Sequence, residues 1–122
     1  MDRGTELYKK LIDEFVEMSQ SYVDANRVRN GDVSWDKNSV LARLTQNDRN
    51  ILADYILEAY SSAIFDVLDL LEWYACCRDM KITIDGETVP TDKFEGIQND
   101  FIGRCDGWEW PTDLIVGDSI EE

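Results

Sequence analysis

The sequence predicts an α+β fold that is predominantly α-helical. It should hold about four helices, one of them long and central (roughly 46–79), and one β-hairpin (roughly 81–90). Three observations predict it. Residues 46–79 contain neither glycine nor proline. Apolar side chains recur at helical spacing near the N-terminus and again through that long stretch. Around Asp85-Gly86 the period changes to two, between Ile82-Thr83-Ile84 and Thr88-Val89.

The first element is an amphipathic helix expected over about Thr5 to Ala25. Leu7, Leu11, Phe15, Met18 and Tyr22 form its apolar stripe, widened by Ile12, with Asp13, Glu14 and Glu17 largely on the other side. Asn26 to Asp32 then reads as a turn, punctuated by Asn30-Gly31. Ser34 or Asp36 would cap a short helix through Val40, Leu41 and Leu44.

Thr45 followed by Asp48 resembles a capping box and opens the long helix. Leu52, Ile56, Ala59, Ala63, Val67, Leu70 and Tyr74 hold its period, and unbroken it would span about 50 Å. Ser61-Ser62 is where a kink would fall, because hydroxyls compete for helix carbonyls. Its second half adds Ile64, Phe65, Leu68, Leu71 and Trp73 and is apolar on nearly every side. That pattern predicts the most buried helix of the fold.

In the hairpin a two-residue type I′ turn sets Ile82 opposite Val89 and Thr83 opposite Thr88. Thr91 would cap a last helix with Phe94, Ile97 and Phe101 on one face, stopped by Gly103. The chain reads as a single compact acidic domain over 1–122, with a tail fraying from about 117.

Charge is the strongest compositional signal. Twelve Lys and Arg stand against 26 Asp and Glu, with no His, for a net charge of −14. The imbalance is concentrated: residues 1–61 carry 8 basic and 11 acidic side chains, residues 62–122 carry 4 and 15. Such a surface repels phosphate backbones and anionic lipid, so direct nucleic-acid and membrane partners are disfavoured. A basic protein surface is attracted and steered instead. No basic segment followed by an apolar core opens the sequence, and the odd set Cys76, Cys77 and Cys105 is a poor disulfide framework. A cytoplasmic protein with reduced, buried core thiols is expected.

The lack of His removes Ser-His-Asp and Cys-His catalysis and His-based zinc or di-iron sites. Neither a phosphate-binding Gly-x-x-x-x-Gly-Lys loop nor Gly-x-Gly-x-x-Gly occurs. Two constellations remain. Asp106, Trp108, Glu109 and Trp110 set two aromatic rings among acids, a pattern suited to a cationic partner; the competing reading is that the rings fold back over the core. Glu14 with Glu17 and Asp66 with Asp69 are i, i+3 carboxylate pairs, such as all-helical nucleotide phosphohydrolases use to hold Mg²⁺; the plainer reading is a solvated helix face.

No cofactor is called for by the first reading, and Mg²⁺ only by the second. The function expected is therefore a small acidic protein-interaction module, of the inhibitor or immunity type, binding a basic protein surface, with mimicry of DNA charge as a special case. The alternatives are a metal-dependent nucleotide phosphohydrolase and a structural or oligomerising domain, the last forming a homodimer through part of the long helix.

Overall fold

The computed structural model describes residues 2–32 and 40–111. They form four α-helices and one antiparallel hairpin: α1 (Arg3–Ser19), α2 (Val23–Arg29), α3 (Gln46–Cys77), β1 (Ile82–Ile84), β2 (Glu87–Val89) and α4 (Ile97–Cys105), with a 3-10 turn at Leu41–Arg43 before α3. The protein is thus α+β and predominantly helical. The expected caps at Ser34 or Asp36 and the tail beyond 111 lie outside the described residues. The chain divides into two compact units, Met1–Val16 with Asp66–Glu122, and Glu17–Phe65.

In the first unit α1 starts at an Asp cap. Asp2 accepts hydrogen bonds from the Thr5 amide and hydroxyl, 2.8 and 3.0 Å. These two donors hold its carboxyl down at about 2. The buried line of α1 in this unit is Thr5, Tyr8 and Ile12. It keeps Ile12 of the expected stripe and otherwise lies one residue on from Leu7, Leu11 and Phe15, which are only half-buried. Gly4 explains the offset: a β-carbon there would sit 2.2 Å from the Thr88 carbonyl oxygen of β2, so the helix backbone itself meets the hairpin.

The hairpin has the expected register, Ile82 with Val89 and Thr83 with Thr88. Asp85 (φ 51°) and Gly86 (φ 79°) supply the two left-handed residues of its turn. Val89 is buried, and with Tyr8, Ile12, Leu68, Ile97 and Phe101 it makes the core of this unit.

The last helix begins later than expected, at Ile97 rather than after Thr91. Two carboxylates fix its start. Asp100 Oδ1 accepts the Glu95 amide at 3.0 Å, and Glu72 Oε1 of α3 accepts the Ile97 amide at 2.9 Å. Both act where helix amides lack partners and favour negative charge. Gly103 does not stop α4 but lies inside it; Gly107 (φ 92°) does. Its amide bonds to Arg104 O and that of Trp108 to Gly103 O, a Schellman closure.

The second unit holds the corrections to the first helix. Helical structure does not run from Thr5 to Ala25 but breaks at Gln20–Tyr22. There the Ser21 hydroxyl bonds back to Glu17 O and Met18 O, and Tyr22 turns extended (ψ 122°) to stack on Tyr60, centroids 4.3 Å apart. α2 then occupies part of the expected turn and ends at Asn30-Gly31 with the same closure, Gly31 to Val28 O and Asp32 to Arg27 O. Its Ala25 and Val28 bury against Ala53, with Leu41, Leu52, Ile56 and Leu57 around them.

Thr45 Oγ1 accepts the Asp48 amide at 3.1 Å, so α3 opens as the sequence predicts. It is helical without a break through Ser61-Ser62 and ends at Cys77, where Asp79 takes a left-handed conformation (φ 57°). It is not, however, the most buried helix. Of its residues only Ala53, Ile64 and Leu68 are buried, while several large apolar side chains on it face solvent.

Candidate functional site

The Trp108–Trp110 segment leaves α4 through the Gly107 closure and folds against α1. Trp110 Nε1 donates to Asp13 Oδ2 at 3.1 Å, and its ring meets Phe94 at 5.0 Å and Tyr8 at 6.0 Å. Trp108 joins edge-on, 5.2 Å from Trp110. Both rings are half-buried. Their cationic neighbours come from this same chain: the Arg104 guanidinium lies 5.4 Å from the Trp110 centroid and Lys9 Nζ lies 6.0 Å. Arg104 is itself held by Asp13 at 2.7 Å and donates to Trp108 O. The segment is an aromatic cover over unit 1. Of the four residues singled out there, only Asp106 and Glu109 are exposed.

Beneath that cover Asp100 is wholly buried. It accepts the Tyr8 hydroxyl proton on Oδ2 as well as the Glu95 amide on Oδ1. Burial raises its carboxyl above the ordinary range against the lowering effect of those two donors, and the nearby Glu95 and Glu72 charges add to the rise. The same burial and the Asp100 charge push the Tyr8 phenol far up. This network is closed to solvent and serves to join α1 to α4.

The carboxylate pairs are all surface residues: Glu14, Glu17, Asp66 and Asp69 are exposed. Among the described residues no group of three His, Cys, Asp or Glu side chains could hold a metal ion. Glu14 and Glu17 lie on α1, Asp66 and Asp69 on α3.

What the sequence reading missed is the solvent side of α3. In unit 1 Val67 is 58% exposed, Leu70 56%, Trp73 47% and Tyr74 40%. The rings of Trp73 and Tyr74 touch, centroids 5.2 Å apart, and the Arg78 guanidinium lies 5.9 Å from the Trp73 centroid. Beside them an open groove of about 480 Å³ is lined by Asp66, Asp69, Leu70, Glu72, Trp73, Cys76 and Cys77. Asp66 and Asp69 therefore do share a surface, an apolar one. Cys76 and Cys77 are exposed on it and not core thiols; hydrogen bonding to Cys76 raises the Cys77 thiol.

The signal for this face was in the sequence. A helix half that is apolar on nearly every side must be covered on nearly every side, and among the described residues only one side is covered. A second cleft, about 490 Å³, lies between the end of α3 and the hairpin, lined among others by Glu72, Lys81, Thr88 and Asp92. Lys81 there pairs with Asp79 at 3.0 Å and Glu72 caps α4, so two of its charged groups are already engaged. Among the described residues no helix is long and apolar enough to cross a membrane.

The model of a family of unknown function, DUF6547, matches residues 1–112. No curated protein and no solved structure matches the chain.

Proposed function

This chain belongs to the DUF6547 family, and from the surface just described we propose that it is an acidic protein-interaction module whose contact site is the exposed face of α3. The observation that carries the reading is the cluster Val67, Leu70, Trp73 and Tyr74, four large apolar side chains left in water within one stretch of two helical turns. Contiguous apolar surface of this kind marks a binding site more often than idle surface. Tryptophan and tyrosine are the side chains that most often anchor an interface. Asp66 and Asp69 at its edge, within a half of the chain carrying 15 acidic and 4 basic residues, favour a basic partner. Catalysis is no part of this reading; occupancy of a partner's basic surface, as an inhibitor or immunity protein achieves it, suffices.

The test is retention of proteins from a lysate of its own source on the immobilised chain, across a salt series, beside the variant Leu70→Glu. Leu70 is mostly solvent-exposed, so the variant keeps its fold. A basic protein held by the wild type, released as salt rises and absent from the variant, supports the reading. The same proteins on both columns, or no basic protein on either, overturns it.

A further inference from the structure

The exposed face has a period as well as a composition. Val67, Leu70, Tyr74 and Cys77 follow one another at +3, +4 and +3, and all four are exposed. This is the a/d spacing of a helix that packs along another helix. With Val67 and Tyr74 as a positions and Leu70 and Cys77 as d, the residues preceding each a position are Asp66 and Trp73. These g positions lie seven residues apart on the flank of the seam. On the opposite flank Ile64 is buried and Leu71 half-buried, turned toward the chain's own interior. A partner helix would therefore cover the seam and meet Asp66 and Trp73 along one edge.

Of the two g residues Asp66 selects for positive charge, since it offers a carboxylate. Trp73 offers a partly exposed ring on which the alkyl stem of a Lys or Arg can lie, while the Arg78 guanidinium of this chain is already 5.9 Å from it. Asp69 adds a second carboxylate, and the groove of about 480 Å³ beside Leu70 and Trp73 has room for a side chain. Charge also argues against two nearer occupants. From Asn50 to Arg78 five carboxylates, Asp54, Glu58, Asp66, Asp69 and Glu72, stand against the single cation Arg78, so a second copy would set a net acidic face against its like. The chain's own residues 112–122 carry four acidic side chains and no basic one.

Resting on the interaction-module reading, we infer that the occupant of this face is a cationic amphipathic helix of another protein. It presents apolar residues at a/d spacing for about 15 Å, the length of ten helical residues. Lys or Arg at every seventh position along one edge faces Asp66 and Trp73.

The test uses the full chain and three fluorescently labelled synthetic peptides of three heptads each. One has Leu at a and d and Lys or Arg at the flanking positions, one is a scramble of the same residues, and one replaces the basic residues with Glu. Binding is read by anisotropy at low and high salt. The in-register basic peptide should bind about tenfold or more tighter than the scramble, and the acidic peptide should not bind. Leu70→Glu should remove binding, whereas Asp66→Asn with Asp69→Asn should weaken it several-fold and flatten its salt dependence. Both variants should unfold at the wild-type urea midpoint.

Equal binding of the scramble overturns the helix inference and leaves an acidic binder that reads charge alone. Failure of every peptide, while Leu70→Glu still loses a basic protein from lysate, also overturns it and leaves the interaction module standing. A wild-type dimer in sedimentation that Leu70→Glu dissociates makes the second copy the occupant. Displacement of the basic peptide by a peptide of residues 112–122 makes the chain's own C-terminal segment the occupant. Either result overturns the inference.

Discussion

Replacing Tyr8 by Phe removes a single hydroxyl from the interior of unit 1 and leaves the Asp100 carboxylate, wholly buried, with one donor in place of two. A hydrogen bond to a charged group contributes about 1.5–3 kcal/mol, and a buried acceptor left short loses its full share. The ring still fills its place against Phe94 and Trp110, so no cavity term is added. With Asp100 ionised the expected cost is about 2 kcal/mol. Its pH dependence is the sharper test. Asp100 titrates above its ordinary value in the folded protein, so between that value and its raised one the folded state holds a proton that the unfolded chain has released. Asp100 therefore lowers stability as pH rises through that window. Without the Tyr8 donor its carboxyl rises further, and the gap between wild type and variant opens over the same window. Below it, with Asp100 protonated, the gap shrinks to the worth of a neutral bond, about 1 kcal/mol. Urea unfolding followed by tryptophan emission suits the purpose, because Trp73, Trp108 and Trp110 all belong to this unit. A loss below about 0.5 kcal/mol at every pH, or one that grows on acidification, would refute the account. In an Asp100→Asn background the same substitution should cost under about 1 kcal/mol, since no charge is then left short.

Three further outcomes are expected. Gly4→Ala, which at an ordinary helix position adds stability, should here cost about 2 kcal/mol or more in urea unfolding, because its β-carbon meets the Thr88 carbonyl. Trp110→Ala should destabilise unit 1 by about 2–4 kcal/mol, through lost ring contacts and the lost bond to Asp13, with blue-shifted emission from Trp108 disappearing at the same time. Asp2→Ala should be less stable than wild type above about pH 4. The difference should close as pH falls toward about 2, since a carboxyl lowered by folding gives up its contribution when it is protonated.

The parts of this fold that local chemistry decides could be read from the residues. Asp85-Gly86 admits one hairpin turn, and the register follows from it; Thr45 three residues before Asp48 gives the start of α3. The parts that a distant residue decides could not. α4 starts at Ile97 because Glu72, twenty-five residues earlier, receives that amide. α1 is rotated by one residue because Gly4 must meet β2, and nothing in the helical period of its own stripe carries that requirement. Gly103 and Gly107 are equivalent as letters, and only the fold shows that Gly107 takes the left-handed conformation and closes the helix. The candidate site failed in the reading for a related reason. Periodicity reports that the second half of α3 is apolar on nearly every side, but whether its far side is covered by this chain or left open is a fact of assembly. Trp108 and Trp110 drew attention by their setting among acids, whereas the pairing of Trp110 with Asp13 spends one of those rings on the fold.

The open face of α3 also sets apart two kinds of selection on this gene. Leu70 and Val67 stand mostly in water, so a polar residue at either position costs the folded chain little and improves its solubility. A library sorted only for expression would therefore drift toward Ser, Lys or Glu at these positions while holding Tyr8, Ile12 and Phe101 fixed. On the proposed reading, the same library sorted for the chain's task in its cell would retain both groups. The positions that separate the two outcomes would trace the outline of the surface with no partner in hand.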